Sequence, residues 1–115
     1  KGLATICVYR NLEPVPKSII SFNKTLRITK FIERPKKKQS GEVWSNASLY
    51  VFEPEILSLI PKNQFSDFGM DIFPKLLKNG KKLFAYKNIG YFLDIGTKEK
   101  IKVAENDIRN KNCKI

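Results

Sequence analysis

Apolar residues open the chain as a near-continuous run, Leu3-Ala4-Thr5-Ile6-Cys7-Val8-Tyr9. That pattern predicts a strand covered on both faces, of the kind found in parallel sheets flanked by helices. A chain that starts inside such a strand implies neighbours encoded before Lys1. Two prolines two apart, Pro14 and Pro16, make residues 11–16 a loop. Residues 18–22 and 26–32 then flank Asn23-Lys24-Thr25, with Leu26 and Ile28 alternating with Arg27 and Thr29. This predicts an antiparallel hairpin, although Lys30 breaks the alternation at its far end. Residues 43–52 form the next strand region, with the small residues Asn46, Ala47 and Ser48 in its middle. Small side chains there allow close approach by a ligand or by another backbone.

The helical periods come later. Residues 53–61 read as a short helix between Pro54 and Pro61. Residues 66–78 predict a second helix, with Phe68, Ile72, Phe73, Leu76 and Leu77 on one face. Asp67 and Asp71 stand at its positive end and Lys75 and Lys78 at its negative end, as the helix dipole favours. Pro74 either kinks it or marks the join of two turns, and Asn79-Gly80 stops it. Residues 82–87 and 91–95 predict a second hairpin around Asn88-Ile89-Gly90. Thr97 then caps a last helix whose buried face is Ile101, Ala104 and Ile108. The expected organisation is one domain portion over residues 1–110 and a polar tail over residues 111–115.

Composition narrows the chemistry. The 115 residues suffice for one small core. No apolar run approaches the ~20 residues that cross a bilayer, and no signal-peptide pattern opens the chain. Cys7 and Cys113 show neither disulfide-scaffold nor zinc spacing, so a reducing cytoplasm is the expected location. Lys and Arg total 22 against 11 Asp and Glu, a net charge of +11 that favours anionic partners. The chain has no histidine, which excludes histidine acid-base catalysis, Ser-His and Cys-His nucleophiles, and histidine metal ligation. The Lys36-Lys37-Lys38 run has no interleaved aromatic residues of the kind that stack bases, so it reads first as a solvated loop.

The most pointed stretch is Tyr91-Phe92-Leu93-Asp94-Ile95-Gly96-Thr97. Three large apolar residues precede one carboxylate, a glycine and a helix-capping threonine. A carboxylate between a strand end and a helix start is a common place for a metal or phosphate site. The same residues also suit a plain turn in which Asp94 only ties down the backbone.

Four ordered stretches resemble the C-terminal half of the sugar-1-phosphate nucleotidylyltransferases, and in particular mannose- or heptose-1-phosphate guanylyltransferase-like members. They are Phe31-Ile32-Glu33-Arg34-Pro35, the segment from Asn46 to Phe52, the segment from Asp67 to Pro74, and Phe92-Leu93-Asp94-Ile95-Gly96-Thr97. The resemblance implies an α/β fold, the C-terminal part of a Rossmann-like mixed sheet with flanking helices and antiparallel hairpins. It implies a reaction in which a sugar 1-phosphate and a nucleoside triphosphate give a nucleoside-diphosphate sugar and pyrophosphate. By motif position, Asp94 matches a magnesium ligand and Glu33 the acid that accepts hydrogen bonds from sugar hydroxyls. Arg34 matches the lysine on the sugar phosphate, Asn46 the amide that reads the sugar, and Ser48 a usual glycine beside the sugar pocket. Lys17-Ser18 stands near the place of a usual tyrosine-glycine pair.

The family's glycine-rich triphosphate loop and its other magnesium aspartate are not found in these residues. The resemblance therefore implies a portion that lacks catalysis alone and whose partners are the missing N-terminal half, a sugar 1-phosphate and a nucleoside triphosphate. A small basic nucleic-acid-binding module is the second reading, permitted by the charge and the scattered aromatics. A non-catalytic partner subunit is the third.

Overall fold

In a computed structural model that describes residues 1–113, five strands form one mixed sheet. They are β1 (Ala4–Asn11), β2 (Ser18–Phe22), β3 (Ile28–Glu33), β4 (Val43–Phe52) and β5 (Leu83–Asn88), in the spatial order β3-β2-β4-β1-β5. Strand β1 runs antiparallel to β4, with Ala4 opposite Phe52, and parallel to β5, with Ala4 opposite Leu83. Strands β2 and β3 form the expected hairpin. Its turn is set by Asn23, whose Oδ1 accepts from the backbone N–H groups of Thr25 and Arg27. The two edge strands approach each other at one end, where an isolated bridge joins Arg27 to Phe84 and the N–H of Ala85 donates to the carbonyl of Leu26 at 2.8 Å. The sheet is thus curled rather than flat.

One face of the sheet packs on the helical segment that follows β4. Pro54–Leu59 is a 3-10 helix, and Phe68–Ile72 is a π-helical turn that runs directly into α1 (Phe73–Lys78). Pro74 sits in the first turn of α1, immediately after the π turn whose last bond runs from the Phe73 N–H to the Phe68 carbonyl; it marks the join of two turns. Asp67 caps the π turn by accepting from the N–H of Met70 at 2.8 Å, and Asp71 Oδ2 accepts from the N–H of Asp67 at 2.9 Å. This reciprocal pair fixes the entry to the helix. The core brings Ile6 and Val8 of β1, Ile20, Ile28, Phe31 and Leu83 together with Ile56, Ile72, Phe73 and Leu76. Phe73 is fully buried, with ring centroids 5.2 Å from both Phe31 and Tyr50.

Three expectations are corrected. Strand β1 is not covered on both faces: its burial alternates, and Thr5, Cys7 and Tyr9 are half-buried. The same face carries the exposed Val51 and Tyr86 from the neighbouring strands, because no helix lies over it among the described residues. The second hairpin does not form. β5 spends its pairing on β1 in parallel, and residues 91–95 run as irregular chain tied down by side chains. The last helix, α2 (Lys98–Arg109), is capped by Thr97 as expected, whose Oγ1 accepts from the N–H of Lys100 at 3.2 Å. It buries no residue: Ile101 and Ile108 are 44% and 50% exposed. Polar ties hold it instead, Tyr91 Oη donating to Asp107 at 2.8 Å and Lys100 Nζ reaching Glu13 at 3.1 Å. The first of these ties drives the exposed Tyr91 hydroxyl up to about 12, since the Asp107 carboxylate favours the protonated phenol. Of the expected polar tail, residues 114 and 115 lie outside the described residues.

The contrast between the two helices is testable by urea denaturation. Phe73→Ala is expected to cost about 3–5 kcal/mol, the range for emptying a buried aromatic site. Ile101→Ala is expected to stay within about 0.5 kcal/mol. Comparable losses at both sites would contradict the placement of α2.

Candidate functional site

A cleft opens where the ends of β2 and β3, the middle of β4 and the segment after β5 converge. Its volume is about 230 Å³, and Glu33, Asn46, Ser48 and Asp94 line it together with Tyr9, Lys17, Ser18, Ala47 and Phe92. Four of the five residues singled out in the sequence therefore meet at one place, although up to 61 positions separate them (Glu33 to Asp94). Arg34 does not line it. Arg34 is exposed, and its backbone is left-handed at φ 50°.

The floor is a buried polar network. Ser45 Oγ donates to the carbonyl of Ser18 at 2.6 Å and accepts from Asn11 Nδ2 at 3.1 Å, while Ser18 Oγ accepts from the N–H of Asn46 at 2.8 Å. Asn11, Ser18 and Ser45 are all at least 96% buried, so each hydrogen bond replaces one lost to water. This is why small hydroxyls stand where β1, β2 and β4 cross.

On that floor β4 bulges. The register with β1 passes from Ile6–Tyr50 to Val8–Asn46, so three residues of β4 lie opposite one of β1. Asn46 holds the bulge: its Oδ1 accepts from the N–H of Ser48 at 2.9 Å and its Nδ2 donates to Tyr50 Oη at 2.7 Å. Each end of the amide keeps capacity for one more partner. Ser48 takes φ 57°, a conformation that suits glycine and costs an L residue about 1 kcal/mol. The usual glycine at this position thus has a backbone reason.

Glu33 is the unusual group. Its Oε2 is buried without any hydrogen-bond partner. Burial, and secondarily the Asp67 carboxylate, push its pKa above the ordinary value, with Arg34 and Lys17 pulling it back. Gly69 makes the position possible, since a Cβ there would meet Glu33 Oε2 at 2.6 Å. Asp94 comes from the irregular segment, which Phe92 anchors by stacking on Tyr9 with centroids 4.2 Å apart. Its Oδ1 accepts from the N–H of Gly96 at 3.0 Å and its Oδ2 pairs with the ammonium of Lys17. The Lys17 partner holds the Asp94 carboxyl below its usual range, and Asp94 in turn raises Lys17. Both side chains remain open to solvent, at 43% and 70% exposure.

As an acceptor toward a divalent ion, Asp94 has the right chemistry and an open setting. The described residues hold no group of three His, Cys, Asp or Glu side chains that could enclose a metal.

Residues 1–111 match the family model described as Nucleotidyl transferase. The chain belongs to the nucleotidyl transferase family. Among curated relatives, the glucose-1-phosphate adenylyltransferase of Clostridium perfringens (strain 13 / Type A) is 37% identical over 98 residues, spanning 78% of this chain and 24% of that protein. The UTP–glucose-1-phosphate uridylyltransferase of Synechocystis is 36% identical over 70 residues, spanning 61% of this chain and 18% of that protein. The chain thus spans about a quarter or less of these relatives. Their names specify adenylyl and uridylyl transfer, so they do not single out the guanylyltransferase-like members. The solved structure of HddC from Yersinia pseudotuberculosis, complexed with GMP-PN, superposes with a TM-score of 0.69 at 21% identity, over 91% of this chain and 44% of that one. That likeness establishes the fold: a Rossmann-like α/β nucleotidyltransferase sheet.

Lys17, Ser18, Tyr9, Phe92 and Gly69 were not singled out as site residues by the sequence. Only Lys17-Ser18 carried a signal, as a departure from the tyrosine-glycine pattern. Gly69 could have been noticed as a glycine inside a helical period.

The strained carboxyl gives a pH prediction. Native Glu33 holds its proton to higher pH than the unfolded chain does, so its contribution to stability is greatest in acid. That contribution declines as pH rises from about 4.5, the ordinary value, through the raised one. Glu33→Gln removes this titration. Thermal denaturation from pH 4 to pH 8 should show the variant gaining on the wild type as pH rises. A wild type that gains on the variant instead would contradict the burial of an unpaired carboxyl.

Proposed function

We propose that this chain forms the sugar-phosphate side of a sugar-1-phosphate nucleotidylyltransferase, which joins a sugar 1-phosphate to a nucleoside triphosphate with release of pyrophosphate. The observation that carries the reading is the convergence of Glu33, Asn46, Ser48 and Asp94 on the walls of one cleft. Sugar hydroxyls would donate to the Glu33 carboxylate where it lines the cleft. Asn46 offers a donor and an acceptor beside it. The names of the curated relatives, both transferring to glucose 1-phosphate, support a hexose 1-phosphate.

Within this reading Asp94 is the residue that would hold magnesium, with the remaining ligands supplied from the nucleotide side. When bound, the ion neutralises developing charge on the phosphoryl oxygens. This chain's own residues bind and orient the sugar: the Ser45 network fixes the strands, the β4 bulge presents Asn46, and the stacked Phe92 sets the position of Asp94. Arg34, which matches the family's phosphate position by motif, does not line the cleft. The glycine-rich triphosphate loop is not among these residues, so a second polypeptide segment supplies nucleotide binding. We place the activity in the cytoplasm, where both cysteines would stay as the free thiols observed. Among the described residues no helix is long and apolar enough to cross a membrane.

Two measurements test this. Isothermal titration with glucose 1-phosphate should show saturable 1:1 binding, weakened about tenfold or more in Glu33→Ala. Incubation of the chain with magnesium, glucose 1-phosphate and each nucleoside triphosphate should release no pyrophosphate. Absence of sugar-phosphate binding, or robust turnover by this chain alone, would contradict the proposal.

A further inference from the structure

We infer that Lys17, rather than Arg34, is the cation that contacts the phosphate of the bound sugar phosphate. This rests on the sugar-phosphate reading of the cleft and assigns its anion subsite. Among the described residues, Lys17 is the one cationic side chain that lines the cleft holding Glu33, Asn46 and Asp94. It also lines the adjoining cavity of about 220 Å³, where Arg10 and Lys100 stand with Glu13 and Asp94, Lys100 paired with Glu13 and Arg10 with Glu42. Lys17 thus stands at the junction of a hydroxyl-rich, acidic compartment and a more basic one. A sugar 1-phosphate has the same polarity: neutral hydroxyls at one end and a dianion at the other.

The backbone explains why Arg34 is displaced from this duty. Ser18 pairs with Glu33 across the hairpin, and the N–H of Arg34 donates to the carbonyl of Lys17 at 2.7 Å. In regular antiparallel pairing the two cations would stand side by side on one face. At φ 50° Arg34 leaves the extended conformation, and Pro35 follows it. The pairing ends there, and Lys17 alone stays on the cleft wall.

The charge balance makes Lys17 consequential. Glu33 and Asp94 place two carboxylates in the first compartment; Lys17 is the cation that lines it with them, while Arg34 acts on Glu33 from outside the lining. Removing it leaves a wall that repels a phosphate dianion. The ion pair with Asp94 uses one of the three ammonium donors and leaves two for phosphate oxygens.

The test compares glucose 1-phosphate and glucose binding to the full chain by isothermal titration and ligand-observed NMR, in wild type, Lys17→Met, Lys17→Arg and Arg34→Met. Lys17 is largely exposed, so its replacement leaves the core untouched, and circular dichroism verifies the fold. Lys17→Met should lose glucose 1-phosphate affinity about tenfold or more while glucose binding is unchanged. Lys17→Arg should recover part of the loss, and Arg34→Met should change affinity less than about threefold. A tenfold loss in Arg34→Met with an unaffected Lys17→Met overturns the assignment. Equal binding by wild type and Lys17→Met overturns it too, while leaving the sugar-phosphate reading intact. A wild type that does not bind glucose 1-phosphate overturns both.

Discussion

The structure depends on β1 being hydrogen-bonded along both edges. β4 lies antiparallel on one side and β5 parallel on the other, while Ile6 and Val8 are sealed against the core that contains Phe73. The parallel pairing fixes where the chain emerges after Asn88, and so where Asp94 arrives. The antiparallel pairing fixes the bulge that carries Asn46 and Ser48. Tyr9, near the end of β1, gives Phe92 its stacking partner. The cleft is a consequence of these pairings rather than a separate feature of the fold.

Within the cleft, burial and charge act in opposite directions on two carboxyls. Glu33 is pressed into the wall by the π turn at Gly69 and is left without a partner, so its neutral form is favoured. Asp94 is open to water and paired with Lys17, so its charged form is favoured. The two acids are therefore suited to different tasks. One is set in the cleft wall, where its neutral form is favoured. The other remains ionised and attracts cations, whether the ammonium it holds or a metal ion.

Much of this was legible in the sequence, for physical reasons that differ by element. β1 to β4 declare themselves as strands by apolar runs and turn residues, although the run in β1 overstated its burial, since only alternate residues are covered. Pro74 announced a kink or a join of two turns because proline has few places in a helix, and the join is what forms. The segment from Tyr91 to Ile95 misled, since its apolar residues have strand composition. Its pairing partner, β5, had already been taken by β1, and a long-range parallel choice leaves no local mark. Ile101 and Ile108 misled in the same way: a helical period shows which face is apolar, not whether anything covers it. Glu33, Asn46, Ser48 and Asp94 were found through ordered motifs. Lys17 was passed over because a lysine before a hairpin looks like any solvated lysine until its neighbours across the fold are known.

The central claim is that the cleft between β2, the β4 bulge and the Asp94 segment is where a sugar 1-phosphate sits. Backbone amide shift mapping by NMR, with glucose 1-phosphate added to isotope-labelled protein, tests it most directly. Saturable shifts are predicted at Ser18, Asn46, Ser48 and residues 92–97, with residues 36–41 unmoved. Shifts confined to the Lys36-Lys37-Lys38 loop would mean only that a basic surface attracts an anion, and would contradict the account.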